Sequence, residues 1–119
     1  NFSILYGDEG PRLAPLYDLL ATVAYPDLSP KFAMKIGKRA TLAELNANGW
    51  AAFAADAGLG PPLIRRRIAE ISKGVLEKAT AVAEELSRPE LDRTAIKQFA
   101  DMIRDRAERC ALTAAGATR

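Results

Sequence analysis

Two residues near the start of the chain carry side-chain oxygens of the kind a divalent cation prefers. Asn1 stands just before Phe2-Ser3-Ile4-Leu5-Tyr6, and Asp18 follows Ala14-Pro15-Leu16-Tyr17, 18 − 1 = 17 residues later. Magnesium takes hard oxygen ligands, and one carboxylate plus one amide carbonyl leaves room on the ion for phosphates and water. The chemistry open to this pair is phosphate binding through a metal, provided the chain brings the two residues together. Asp18 also has a plainer reading, as the N-cap of a short helix whose first amides it would satisfy.

The residues between them read as the device that brings them together. Phe2 to Tyr6 are aromatic and branched types that pack on a pleated surface. Gly7-Asp8-Glu9-Gly10 is a turn, with glycine for positive φ and aspartate for local capping. Arg12-Leu13-Ala14 returns as the second strand, and Pro11 and Pro15 confine it to an edge or mark its ends. Residues 19–40 lack steady periodicity and are broken by Tyr25-Pro26 and Ser29-Pro30, since the residue before proline is pushed out of the α region. A short helix is expected over residues 18–24, and a strand near Phe32-Ala33-Met34-Lys35-Ile36.

From residue 41 the pattern is helical. Thr41-Leu42-Ala43-Glu44 has the form of a capping box opening a short helix. A second helix is expected over residues 48–57, ended by Gly58, with Pro61 and Pro62 beginning the next. That helix carries the stripe Ile64, Ile68, Ile71, Val75, Ala79, Val82, Leu86 at spacings of three and four. A last helix over residues 93–111 places Ile96, Phe99, Ala100, Ile103, Ala107 and Cys110 on one side. Trp50, Phe53 and Phe99 read as core residues, and Cys110 as a small buried hydrophobe. The expected fold is mainly α: a short N-terminal β-hairpin followed by a helical bundle.

Composition narrows the chemistry. With 119 residues, 49% apolar and 27% charged, the chain suits one globular domain rather than a disordered segment. Its net charge of +2 is too small to argue by itself for nucleic-acid or membrane binding. There is no histidine, so no Ser-His-Asp triad, Cys-His pair or zinc site of the usual composition can be built from these residues alone. The single cysteine, Cys110, cannot form an internal disulfide and makes a cytoplasmic location the simplest expectation. No stretch approaches the length of a transmembrane span.

The run Asn1-Phe2-Ser3, followed by Ala14-Pro15-Leu16-Tyr17-Asp18, resembles the HipA family of bacterial serine/threonine kinases, the toxin half of toxin–antitoxin pairs. "KFAMKIGKR", residues 31–39, is similar to a later segment of that family, and residues 50–59 followed by a long helix also fit it. The resemblance covers most of the chain, with its specific motifs in the first eighteen residues and helical texture after about residue 60. It implies that residues 1–119 are the distal part of a kinase-like C-terminal lobe, with a hairpin and activation-segment-like loop over 1–40 and a helical bundle over 41–115. Asn1 and Asp18 would then be the two Mg²⁺ ligands of an ATP site, as the catalytic-loop asparagine and a following aspartate are in protein kinases. The catalytic aspartate is expected five residues before Asn1, with the phosphate-binding loop and ATP-gripping lysine further upstream, so these 119 residues alone should be inactive. The resemblance further implies ATP and Mg²⁺ as cofactors, a HipB-type antitoxin that binds DNA as partner, and a protein substrate such as an aminoacyl-tRNA synthetase. It implies DNA contact only through the antitoxin, and none with membrane.

Two other classes of function remain open from the residues. One is a free-standing helical interaction module in which Asp18 is only a cap. The other is a helix-turn-helix DNA-binding domain, suggested by Ala54, Gly58 and Ile64 with Arg65, Arg66 and Arg67 opening the second helix. Successive helical residues turn by about 100°, so three adjacent arginines cannot all face one groove.

Overall fold

Gly10 and Pro11 act in the N-terminal hairpin as their chemistry requires, while Gly7 keeps an ordinary negative-φ backbone. The computed structural model describes residues 1–88 and 90–117. In it, β1 (Ile4–Gly7) and β2 (Gly10–Leu13) pair antiparallel, with Ile4 opposite Leu13 and Gly7 opposite Gly10. Gly10 takes φ +96°, which glycine adopts without a Cβ clash. The ladder extends one rung further, the Ala14 amide donating to the Ser3 carbonyl at 2.8 Å. Hydrogen-bonded pairs alternate along such a ladder, so Pro11, opposite Tyr6, falls where an N–H would point outward and its absence costs nothing. The ribbon is exposed along its length, Tyr6 at 83%.

The loop that follows departs from expectation in two places. Residues 18–24 hold only a 3-10 turn at Thr22–Ala24, because Asp18 sits at φ +52°, a left-handed conformation that cannot open a right-handed helix. In place of a strand at residues 32–36 there is a tight reversal. Ile36 and Arg39 exchange both backbone hydrogen bonds, at 3.0 and 2.9 Å, around Gly37 at φ +50° and Lys38 at φ +67°. Two successive positive φ values define a type I′ turn, whose twist suits a hairpin.

The capping-box residues make one turn rather than a helix. Thr41 Oγ1 accepts from the Glu44 amide at 3.3 Å, and Glu44 Oε2 accepts from the Ala40 amide at 2.9 Å, one residue before the position a capping box would use. Helix α1 (Ala47–Asp56) begins one residue earlier than expected, because the Asn46 side chain caps it by accepting from the Gly49 amide at 3.0 Å. It ends in a Schellman motif: Leu59 N–H donates to the Ala54 carbonyl, Gly58 N–H to that of Ala55, and Gly58 holds φ +66°. Helix α2 (Pro61–Leu86) starts on its two prolines, and α3 (Arg93–Ala114) starts on Asp92, whose carboxylate accepts from Thr94 and Ala95.

The core sits where these elements meet. Leu45, Trp50, Ala54, Ile64 and Ala114 are buried, with Phe32, Ile36, Leu42, Phe53, Ile68 and Cys110 packed around them. Trp50 Nε1 donates to Thr113 Oγ1 at 3.0 Å, and that hydroxyl donates to the Arg109 carbonyl at 2.9 Å, tying α1 to α3. Phe53 meets Trp50 edge-on. The expected stripe on α2 divides. Ile64 is buried and Ile68 packs on the core, but Ile71 is 66% exposed and Val82 48%, as are Leu86 and the expected core residue Phe99. The core gathers at the N-terminal end of α2, beside α1 and the loop. Beyond Ile71 α3 lies alongside, and one apolar flank of both helices faces outward. The whole is a mainly helical chain with an N-terminal two-stranded hairpin. Among the described residues no helix is long and apolar enough to cross a membrane.

Candidate functional site

Asn1 and Asp18 meet at the open end of the ribbon. The Asn1 side-chain amide nitrogen donates to the Asp18 backbone carbonyl at 2.9 Å and lies 3.4 Å from its Oδ2. Both residues are exposed. The hydrogen bond to the carbonyl accounts for the unusual backbone of Asp18: aspartate tolerates the left-handed region better than most residues, and here its carbonyl is held by the opposite arm. Asp18 is therefore no helix cap; the nearby 3-10 turn has no side-chain cap at all.

The pair fits a hard cation by donor type, a carboxylate with an amide side chain against it. The amide presents its nitrogen to Asp18, and a half-turn of that amide exchanges nitrogen for oxygen. Among the described residues no group of three or more carboxylates, histidines or cysteines is arranged so that it could hold a metal ion by itself. A cation on Asn1 and Asp18 would thus take most of its oxygens from other molecules, as magnesium commonly does.

Sequence reasoning missed a second pair beside the first. Ser3 Oγ and the Tyr17 hydroxyl are 3.0 Å apart, joining the two arms one step inside Asn1 and Asp18. Both residues stand in the segments that raised the metal reading, and a hydroxyl on each arm next to a ligand candidate was the available signal.

The arginine cluster is organised differently. Arg67 Nη1 bonds Glu70 Oε2 at 2.8 Å and Arg66 Nε lies 3.7 Å from Glu70 Oε1, so one glutamate engages two of the three arginines. They sit on a 26-residue helix.

Comparison with known proteins covers the same ground as the ribbon and its supports. The HipA-like C-terminal domain family matches residues 1–83, from Asn1 through most of α2. A protein of Sinorhizobium fredii (strain NBRC 101917 / NGR234) named "Putative kinase Y4mE" is 56% identical over 108 residues, 91% of this chain. The match takes in 26% of that relative, so the chain spans about a quarter of its length. No solved structure matches. The match runs through the hairpin, the Gly37 turn, α1 and most of α2, and on it the chain belongs to the HipA-like C-terminal domain family.

Proposed function

We propose that this chain is the C-terminal part of a HipA-type kinase that, as a whole, transfers the γ-phosphate of ATP to a serine or threonine of a protein. The observation that carries the reading is the meeting of Asn1 and Asp18 across the hairpin, within the segment the family matches. The kinase name of the Sinorhizobium fredii relative supports it. In this reading Asn1 and Asp18 hold Mg²⁺, which when bound would neutralise charge on the ATP phosphates. The hairpin sets the spacing of the two side chains, and Asn1 keeps Asp18 in its left-handed conformation. Residues 19–40 lie beside the substrate cleft. The aspartate that accepts the substrate proton and the phosphate-gripping groups belong to the rest of the protein, so the 119 residues alone transfer nothing. The same reading carries a cytoplasmic location, a HipB-type antitoxin as partner and a protein substrate of the aminoacyl-tRNA synthetase kind.

The test uses the full-length protein. Asp18→Asn should lower phosphate transfer from radiolabelled ATP by at least about a hundredfold, since positioning and charge neutralisation act together. Asp8→Asn, in the hairpin turn, should leave it within about twofold, as expected of a surface substitution away from the site. Unchanged transfer in Asp18→Asn would sink the reading. The helix-turn-helix alternative is disfavoured by the shared Glu70 partner of Arg66 and Arg67 and by the length of α2.

A further inference from the structure

The register of the hairpin makes the meeting of Asn1 and Asp18 unexpected. Ile4 faces Leu13 and Leu5 faces Arg12, so paired positions sum to 17 (4 + 13, 5 + 12). Continued straight, that register would set Leu16 opposite Asn1 (1 + 16). The partner found is Asp18, two residues further along. The return arm therefore takes up two extra residues after its last rung, Ala14 N–H to Ser3 O. Beyond that rung no backbone hydrogen bond joins the arms among the described residues. What joins them is side chains: Asn1 to Asp18, and Ser3 to Tyr17.

Ser3 thus makes two bonds across the ribbon. Its carbonyl takes the Ala14 amide at 2.8 Å and its hydroxyl meets Tyr17 at 3.0 Å. Between those anchors lie only Pro15, whose φ is fixed, and Leu16. The slack is closed into a small loop pinned at both ends by one residue, and Asp18 is the next residue out. We infer that Tyr17 and Ser3 are positioning residues for the Asn1–Asp18 pair, their hydroxyl contact holding the two-residue excess that sets Asp18 against Asn1. This rests on the metal-binding reading of that pair. Removing either hydroxyl frees residues 15–17, and the carboxylate of Asp18 then samples positions away from Asn1.

The experiment measures Mn²⁺ binding to the full-length protein in the presence of a non-hydrolysable ATP analogue, by loss of the electron paramagnetic resonance signal of free Mn²⁺. Tyr17→Phe and Ser3→Ala should each weaken binding by about threefold to tenfold, the range of one hydrogen bond. The double variant should be no weaker than either single one, because both remove the same contact. Ser3→Thr, which keeps the hydroxyl, should stay within about twofold of wild type, and the thermal midpoint should move little in any of them. Tyr17→Phe binding Mn²⁺ like wild type while Asp18→Asn does not would overturn the positioning role alone. So would single losses that multiply in the double variant, or a lowered midpoint with unchanged Mn²⁺ affinity. Asp18→Asn binding Mn²⁺ and nucleotide like wild type would overturn the metal reading and this inference with it.

Discussion

Gly37→Ala probes the described glycine at which an added Cβ would come nearest to other backbone. Gly37 combines φ +50° with a position against the first turn of α1, where an added Cβ would overlap the carbonyl oxygen of Gly49. The left-handed backbone alone costs an alanine roughly 1 kcal/mol. The overlap cannot be relieved by a side-chain rotation, because the obstacle is helix backbone and Gly49 is itself closed in by Leu45 and Arg39. The turn must lift, drawing the partly buried Ile36 off the core, and losing half of a full isoleucine burial adds about 0.7–1.5 kcal/mol. The sum is about 1.7–2.5 kcal/mol, or roughly 7–10 °C in Tm at about 4 °C per kcal/mol for a chain of this size. Three other glycines calibrate it. Gly58→Ala and Gly10→Ala have positive φ but open space, and should cost about 1 kcal/mol each. Gly74→Ala, within α2 and also in open space, should stabilise by about 0.5–1 kcal/mol. Thermal unfolding followed by circular dichroism, with Trp50 fluorescence in urea, reads all four. If Gly37→Ala costs no more than Gly58→Ala, the close approach of the turn to α1 does not exist and the reasoning fails.

Thr113→Val removes the acceptor of Trp50 Nε1 and should cost about 1–2 kcal/mol in urea unfolding, while Thr113→Ser should recover most of it. Burial pushes the Cys110 thiol above its ordinary value of 9.0, and the nearby Arg106 and Arg109 charges partly offset this. Its folded value being the raised one, its contribution to stability is fully present below the unfolded value and is lost as pH rises through the folded one. The Tm difference between wild type and Cys110→Ala should therefore shrink as pH is taken above about 9, measured at constant ionic strength. Glu70→Gln severs both ion pairs to Arg66 and Arg67, yet at such exposure it should change the unfolding free energy by less than about 0.5 kcal/mol.

The helices were legible wherever the signal was local. Gly58, Pro61 and Pro62 punctuate α1 and α2 as their backbone chemistry demands, and α3 begins at Arg93 as its pattern indicates. The hairpin was legible too, and with it the meeting of Asn1 and Asp18. What stayed hidden depended on partners distant in sequence. The seven-residue stripe of α2 announces an apolar face but not how much neighbour exists to cover it, and Ile71, Val82 and Leu86 of that stripe lie outside, as does Phe99, expected in the core. Phe32 and Ile36 are strand-forming types, but the two residues after Ile36 take positive φ and turn the chain back at once. Thr41 and Glu44 make their capping bonds around a turn that never becomes a helix, since Asn46 supplies a stronger start five residues on. Ser3 and Tyr17 escaped because a register excess is invisible until the rungs are counted.

A two-stranded ribbon with solvent on both sides is marginal on its own in water. This one exposes Phe2, Ile4, Leu5, Tyr6 and Leu13, and its far end carries the Asn1–Asp18 pair. Cover for the ribbon and closure of its open end would then draw on one and the same folding of the ribbon. Anything that buried those side chains only in the paired ribbon would favour the joined arms, and by linkage anything that drew Asn1 and Asp18 together would tighten such a cover by the same factor. The hairpin is in that sense a thermodynamic lever, coupling the packing along its strands to the chemistry at its tip.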